Sequence, residues 1–296
     1  MFRSFAMAAA AVAMLAVPAA EACTRVVYLG PEGRVLTGRS MDWSMPMTSN
    51  LWVFPRGMTR DGAAGPRSLE WTSKYGSLIV SGYDIATVDG MNEAGLVANM
   101  LWLAESQYPE DDGQTPRMSL SAWAQFFLDN FATVEEAVVY LNENPFDTVT
   151  KDVPVSPGKL TTVHLSLSDA GGDSAILEWI GGELVVHHGR EYRVMTNDPP
   201  YEEQLAIAAY WKGVNPREVM PGTTRAADRF VRAGIYIDMV VQSDDPRTAA
   251  AAVFSVVRNA SVPYGVSIPD APNLSTTRWR VVADQKDRLF YVESAI

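Results

Sequence analysis

Short apolar runs and apolar–polar alternation predict β-strands through the first third of the chain. Thr24–Leu29 and Arg34–Arg39 flank Gly30-Pro31-Glu32-Gly33, four residues typical of a turn, and together predict a hairpin. Further strands are predicted at Ser77–Ser81, Ile85–Asp89 and Leu96–Leu103. The last two are joined through the sequence GMNEAG, whose Asn and Gly residues favour a tight reversal.

A helical pattern then replaces the strand pattern. Over Ser119–Asn130 the large apolar residues share one helix face, and over Thr133–Asn142 a second helix is predicted. Thr133 and Glu136 stand at the spacing of a capping box. Strands are predicted next at Thr162–Ser168, Ala175–Ile180, Glu183–His188 and Tyr192–Thr196, followed by helices at 201–211, 224–241 and 245–258 and a terminal hairpin of Thr276–Ala283 with Arg288–Glu293.

This order of strands, helices, strands, helices and strands indicates an α+β fold with largely antiparallel sheets. Two sheets packed face to face with helices outside would bury the apolar face of every element. Periodicity by itself does not select that layering.

Residues 1–22 have the pattern of a cleavable export signal. Arg3 gives a short basic region, residues 5–17 carry no charge, and Ala20-Glu21-Ala22 fits the small-x-small cleavage rule. A membrane anchor is the alternative, but the apolar run is shorter than the roughly 20 residues that a spanning helix needs. We therefore expect a signal peptide at 1–22, a periplasmic or secreted product, and a single catalytic domain at 23–296, with no later membrane span.

Composition narrows the range of functions. The net charge of −11 argues against nucleic acid or an anionic membrane surface as a partner. Cys23 is the only cysteine, so no disulfide can form within the chain. An unpaired cysteine in an exported protein is either reactive or a site of modification.

Cleavage before Cys23 would give one residue both a nucleophile and a base. A thiol attacks as thiolate, and an ordinary cysteine with a pKa near ~8.5 is mostly protonated at neutral pH. The new α-amine, with a pKa of about 7.7–8.0, could accept the thiol proton directly or through one water. A papain-like pair of Cys23 with one of the three histidines stays an alternative, because such partners need to be adjacent only in space. The sequence contains no Cys/His metal spacing, and we expect neither a metal nor an organic cofactor.

Arg39 and Asp42, in the block GRSMDW, lie on the second strand of the opening hairpin. If the hairpin returns both to Cys23, Arg39 would lower the pKa of the thiol and Asp42 would hydrogen-bond the α-amine. Taken alone, an Arg and an Asp three residues apart usually belong to an ordinary solvated strand edge.

The chain resembles the choloylglycine hydrolases. This family comprises bile salt hydrolases and penicillin V acylases and belongs to the N-terminal nucleophile hydrolases. Ordered blocks carry the resemblance over most of residues 23–296: CTRVVY, GRSMDW, DGMNEAGL, VMTNDPPYEEQ, DRFVR and TTRWRVVADQKDRLFYVES. The resemblance implies a four-layer αββα fold and hydrolysis of a linear non-peptide amide through a thioester. Relatives form tetramers, but the oligomeric state of this chain, a homotetramer or another, stays open.

The resemblance also assigns roles to single positions. Cys23 matches the nucleophile, and Arg39 and Asp42 match its Arg and Asp partners. Asn197 matches the asparagine whose amide helps form the oxyanion hole, and Arg229 matches the arginine that supports the nucleophile.

Trp102 departs from the bile salt hydrolases, which carry asparagine at this position. It would contribute a backbone N–H or an indole donor to the oxyanion hole, or be a core aromatic residue. This pattern resembles the Gram-negative branch of penicillin V acylases, whose members also hydrolyse N-acyl homoserine lactones. The segment after Asp42 supplies Trp43, Met45 and Met47 as a candidate acyl pocket.

Two rival functions stay open. Conjugated bile salts contain the same type of amide, so a bile salt hydrolase is the first rival. A cysteine directly after a signal peptide is also where lipoproteins are lipidated, so a binding protein with a lipidated Cys23 is the second. Such a protein would have no free α-amine, although Ala20 and Glu21 fit a lipobox poorly.

Overall fold

The computed structural model describes residues 23–267 and 275–295. The predicted signal peptide, residues 1–22, lies outside this part of the chain, so its cleavage stays a prediction.

Within the described residues the strands are, in chain order, β1 Thr24–Leu29, β2 Val35–Trp43, β3 Leu51–Phe54, β4 Thr59–Asp61, β5 Glu70–Thr72, β6 Ser77–Gly82, β7 Ala86–Asn92, β8 Val97–Trp102, β9 Arg117–Ser119, β10 Asp147–Val149, β11 Asp152–Val153, β12 Ser156–Leu160, β13 Val163–Ser168, β14 Ser174–Ile180, β15 Glu183–His188, β16 Val194–Thr196, β17 Thr276–Asp284 and β18 Leu289–Ser294. The α-helices are α1 Leu120–Asn130, α2 Val134–Glu143, α3 Tyr201–Trp211, α4 Ala226–Met239 and α5 Pro246–Asn259.

Two antiparallel sheets form the centre of the fold. One has the strand order β16-β1-β2-β17-β18 and the other the order β15-β14-β13-β8-β7-β6-β3. Helix α1 packs on β7 and β8, while α4 packs on β1 and β16 and α5 on β2 and β17. One apolar core cluster contains buried residues of both sheets and of these helices. The predicted α+β, four-layer αββα arrangement is confirmed.

Local sequence explains where several elements begin. The Thr133 side chain accepts a hydrogen bond from the Glu136 backbone N–H while the Glu136 carboxylate accepts one from the Thr133 N–H, which completes the predicted capping box of α2. At α5, the Asp245 carboxylate accepts from the Thr248 N–H at 2.8 Å, and Pro246 occupies the first turn, where its missing N–H costs nothing.

Several short strands, β3 to β5 and β9 to β12, were not predicted. They are two to five residues long, and most are only partly buried, so apolar periodicity has little length over which to show. Strand β3 follows the segment that contains the candidate pocket residues Trp43, Met45 and Met47. It is an exposed edge strand paired with β6, and Val53 is 76% exposed.

The register of the opening hairpin positions the first part of the site. Arg25 lies opposite Arg39 and Thr24 lies opposite Ser40. Because side chains alternate across a strand, Cys23, Arg39 and Met41 face one side of the sheet, and Ser40 and Asp42 face the other. The two predicted partners of Cys23 are therefore separated by the thickness of the sheet.

Candidate active site

Cys23 lies immediately before β1 and is 2% exposed. Its Sγ is 3.7 Å from Arg39 Nη2, 3.8 Å from Met41 Sδ and 3.8 Å from the carbonyl oxygen of Asp42. Among the described residues, no histidine lies within hydrogen-bonding distance of Sγ. The contacts therefore favour the predicted arginine neighbour over a papain-like pair.

Arg39 connects Cys23 to the other sheet. Its Nη2 donates to the Met100 carbonyl oxygen at 2.9 Å, and its Nη1 is 3.6 Å from Asp89 Oδ2. Asp89 in turn accepts from Asn99 Nδ2 at 2.8 Å. Both charged side chains are fully buried, so Asp89 is the carboxylate that balances the Arg39 charge. Sequence reasoning did not single out Asp89, although it lies within the block DGMNEAGL.

Asp42 lies on the opposite face of β2. Its carboxylate accepts hydrogen bonds from Ser40 Oγ at 3.0 Å and from Thr277 Oγ1, whose strand β17 pairs with β2 at this level. Burial raises the pKa of Asp42 to about 6, against the opposing effect of Arg229 and these hydroxyl donors. A bond from Asp42 to a free α-amine of Cys23 stays a prediction, because that nitrogen is a peptide nitrogen in the full chain.

Arg229 binds both the Cys23 backbone and Asn197. Its Nη1 donates to the Cys23 carbonyl oxygen at 2.6 Å and to Thr24 Oγ1, and its Nη2 donates to Asn197 Oδ1 at 3.2 Å. The side chain is fully buried, and burial lowers its pKa. Arg229 is thus a buried arginine of α4 that contacts the Cys23 backbone, not a cation on the helix surface.

Asn197 lies at the level of Cys23. Strand β16 ends at Thr196, which pairs with Thr24, the first residue of β1, so the next residue of the chain lies beside Cys23. Since Arg229 donates to Asn197 Oδ1, the amide nitrogen must point the other way, and Nδ2 donates to the Trp102 carbonyl oxygen at 2.9 Å. One amide hydrogen is thus bonded to Trp102, and the second makes no hydrogen bond to the described residues.

Gln204 of α3 holds the loop that carries Asn197. Its Nε2 donates to the carbonyl oxygens of Pro199 at 2.6 Å and Asn197 at 3.1 Å, and its Oε1 accepts from Thr196 Oγ1 at 3.1 Å. Gln204 was not singled out from the sequence, although it ends the block VMTNDPPYEEQ.

Burial and the neighbouring charges act on the pKa of the Cys23 thiol in opposite directions. Burial raises the pKa of Cys23 and outweighs the lowering effect of Arg39, while the charge of Asp42 raises it further. In the unprocessed chain the thiol is therefore mostly protonated at neutral pH, and a base must accept its proton before it can attack.

An apolar cavity of about 370 Å³, called here the Cys23 cavity, opens on the thiol. Cys23 and Arg39 line it, and so do the predicted pocket residues Trp43, Met47 and Trp102. The rings of Trp43 and Trp102 lie 5.4 Å apart at 56°. Met45 is half-buried but does not line the cavity that the described residues form, which corrects its assignment to the acyl pocket.

Trp102 makes two contacts relevant to the predicted oxyanion hole. Its carbonyl oxygen accepts from Asn197, and its indole ring forms part of the cavity wall. A donor role for its backbone or indole N–H stays a prediction.

The three histidines have structural contacts. His164 is buried and its Nδ1 lies 2.8 Å from Glu178 Oε1; His187 packs against Tyr201, and His188 Nε2 lies 2.7 Å from Asp173 Oδ2.

Among the residues that the structure covers, no helix is long and apolar enough to cross a membrane.

Comparison with known proteins agrees with this geometry. The family model of linear amide C–N hydrolases of the choloylglycine hydrolase family matches residues 23–295. A penicillin V acylase of Pectobacterium atrosepticum is 49% identical over 93% of this chain and 78% of its own length. The solved penicillin V acylase of Agrobacterium tumefaciens is 59% identical, with a TM-score of 0.85, and the match covers 92% of this chain and 83% of that one.

A more distant structure supports the fold alone. A mutant conjugated bile acid hydrolase of Clostridium perfringens is 22% identical, with a TM-score of 0.77 over 92% of this chain and 89% of its own. The matched range begins at Cys23, the residue around which Arg39, Asn197 and Arg229 are assembled. The chain therefore belongs to the choloylglycine hydrolase family and is a linear amide C–N hydrolase.

Proposed function

We propose that this hydrolase is exported, is cleaved before Cys23, and uses the thiol and the α-amine of that residue to hydrolyse acyl amides of the penicillin V or N-acyl homoserine lactone type. The observation that carries the proposal is the arrangement at the end of the Cys23 cavity. There, a buried thiol lies next to Arg39, and Arg229 binds both the carbonyl oxygen of Cys23 and the amide of Asn197.

The proposed reaction begins with transfer of the thiol proton to the α-amine. The thiolate attacks the acyl carbon, and the carbonyl oxygen becomes an oxyanion that accepts a hydrogen bond from the free N–H of Asn197, with Trp102 as a second donor. An uncharged amide stabilises this oxyanion without a competing proton transfer. Arg39 favours the thiolate through its positive charge.

Collapse of this intermediate breaks the C–N bond, and the leaving amine takes the proton held by the α-ammonium group. A thioester on Cys23 remains. The α-amine then accepts a proton from water, which attacks the thioester and releases the carboxylic acid, and the thiol is restored. Each step uses groups of Cys23 itself, so the proposal requires no metal or organic cofactor.

The substrate class is supported by the relatives and by the cavity. The two most similar proteins described above are named penicillin V acylases. The walls formed by Trp43, Met47 and Trp102 suit an aromatic or aliphatic acyl group. For bile salts the support is weaker, because the bile salt and bile acid hydrolases that match are 22–23% identical.

Two measurements test the proposal. Mass spectrometry of the exported protein should find an unmodified Cys23 as the first residue; a lipid on Cys23, or a start elsewhere, would refute the α-amine mechanism. Hydrolysis rates on penicillin V, an N-acyl homoserine lactone, a conjugated bile salt and a simple fatty amide should then favour the first two. A preference for the bile salt would establish the rival substrate.

A further inference from the structure

A second cavity, called here the Trp52 cleft, adjoins the Cys23 cavity. Its volume is about 360 Å³, close to that of the Cys23 cavity. Trp52 and Phe54 of β3, Trp71 of β5 and Ala122 of α1 contribute to its walls. None of these four residues lines the Cys23 cavity within the described part of the chain.

The two cavities have four lining residues in common, which form a shared wall. Ala63, Ile85, Ala86 and Ser121 line both of them. Three of these four side chains are small, and Ile85 is 66% exposed, so it is not fixed in the core. A chain that passes from one cavity to the other must cross at this wall of mostly small side chains.

The same strand and helix run along both spaces. On β7, Val88 lines the Cys23 cavity, Ala86 lines both cavities and Thr87 lines the Trp52 cleft. On α1, Leu120 lines the first and Ala122 the second. The two cavities are therefore neighbours that share part of their lining, and Cys23 lies in the first of them.

The chemistry of the Trp52 cleft favours an apolar occupant. The indole N–H of Trp52 donates to Asp84 Oδ1 at 2.7 Å, and that of Trp71 donates to Asp129 Oδ2 at 2.8 Å. The side chain of Gln125 accepts from Thr87 at 2.8 Å and donates to Asp129 at 2.7 Å. These polar groups are already bonded to protein. Arg60 also lines the cleft: its Nε donates to Asp129 and its guanidinium lies over the Phe54 ring, while its Nη2 has no hydrogen-bond partner among the described residues. Apart from this nitrogen, the cleft offers a ligand mainly ring faces and aliphatic surface.

We propose that the Trp52 cleft is a distal acyl subsite, which takes the end of an acyl chain too long for the Cys23 cavity alone. The assignment rests on the proposed function, because it requires an acyl group bound with its carbonyl carbon at Cys23. It predicts that the cleft sets the preference for chain length and has no effect on short acyl groups.

The test compares two amides that differ only in the acyl chain: the N-hexanoyl and N-dodecanoyl amides of 6-aminopenicillanic acid. Ala122→Leu fills the cleft on a helix position that accepts leucine. Each buried methylene contributes about 0.8 kcal/mol, roughly four-fold in binding. We expect the dodecanoyl-to-hexanoyl ratio of kcat/KM to fall at least about ten-fold, with hexanoyl hydrolysis nearly unchanged.

Two further variants complete the experiment. Ala251→Leu makes the same substitution at an exposed position of α5 and should leave the ratio unchanged. Trp52→Ala removes one wall of the cleft on an edge strand where Trp52 is already 45% exposed, so folding should be preserved, and the ratio should again fall. This variant decides the question if Ala122→Leu does not fold.

The outcomes separate the two proposals. If the wild-type protein hydrolyses neither penicillin V nor either amide, the proposed function fails. If it hydrolyses the hexanoyl amide but Ala122→Leu and Trp52→Ala leave the chain-length ratio unchanged, the distal subsite is refuted while the proposed function stands. A cleft that held a separate molecule would give this second result.

Discussion

Replacing Gln204 tests whether the loop that carries Asn197 must be held in place for catalysis. Gln204 is fully buried and donates to the carbonyl oxygens of Asn197 and Pro199, at 3.1 Å and 2.6 Å. Gln204→Leu keeps the volume and the helix propensity of the side chain and removes both bonds. Leucine would leave these carbonyl oxygens without their donor in a protein interior.

The size of the effect follows from these bonds. A typical hydrogen bond contributes about 0.5–1.5 kcal/mol net, and an unpaired buried group costs roughly 1–3 kcal/mol. The loop should therefore relax to satisfy its carbonyl groups and displace the Asn197 amide. Complete loss of one oxyanion donor lowers kcat by about 10²–10³. We expect a fall in kcat of about 10–100-fold for Gln204→Leu, below that ceiling, with little change in KM, because Gln204 does not line the Cys23 cavity.

A double-mutant cycle with Asn197→Ala distinguishes this role from general destabilisation. If Gln204 acts through Asn197, the double variant should have the kcat of Asn197→Ala alone. Steady-state hydrolysis of penicillin V gives kcat and KM, and circular dichroism gives the melting temperature. Gln114→Leu, at an exposed loop position, is the matched control. Losses that simply multiply, or a Gln204→Leu enzyme with wild-type kcat, would refute the reasoning.

Three other predictions concern Cys23, the contacts of Arg229, and the pKa of the Cys23 thiol. Cys23→Ala should abolish hydrolysis while leaving the melting curve nearly unchanged, and Cys23→Ser should be slow at best; activity in pure Cys23→Ala protein would remove Cys23 from the mechanism. Arg229→Lys should lower kcat about 10²-fold, because a lysine cannot hold the Cys23 carbonyl and the Asn197 amide together, and wild-type kcat in this variant would contradict that role. Burial raises the pKa of Cys23 and Arg39 lowers it, so alkylation of the full chain by iodoacetamide should accelerate as pH rises, and Arg39→Met should move this curve to higher pH. Mass spectrometry of the alkylated protein at several pH values gives the curve, and a shift to lower pH would show that Arg39 does not favour the thiolate.

Local sequence was sufficient wherever a structural preference depends on neighbouring residues. The opening hairpin and the capping box at Thr133 and Glu136 were predicted because turn chemistry and capping are short-range interactions. Strands such as β3 and β11 were missed because a few partly buried residues leave no clear alternation. Their pairing depends on partners distant in the chain, such as β6 for β3.

The sequence blocks predicted four site residues that the structure brings together: Cys23, Arg39, Asn197 and Arg229. Strand register places the first three near one another, and Arg229 of α4 bonds Asn197. Alternation along β2 already places Arg39 and Asp42 on opposite faces, but the same blocks could not show which of the two shares a face with Cys23, since this depends on the register between β1 and β2. Met45 was placed in the pocket by proximity in sequence, yet only Met47 and Trp43 of that segment line the cavity.

The sequence by itself determined the family and the class of reaction and predicted Cys23 as the nucleophile, because these depend on residue types at fixed spacing along the chain. Only the tertiary structure decided that Asp89 neutralises Arg39, that Gln204 holds the loop of Asn197, and that the Trp52 cleft adjoins the Cys23 cavity. These relations join residues on different strands and helices. Burial gives them their importance, because a charge or carbonyl group removed from water must find its partner within the protein.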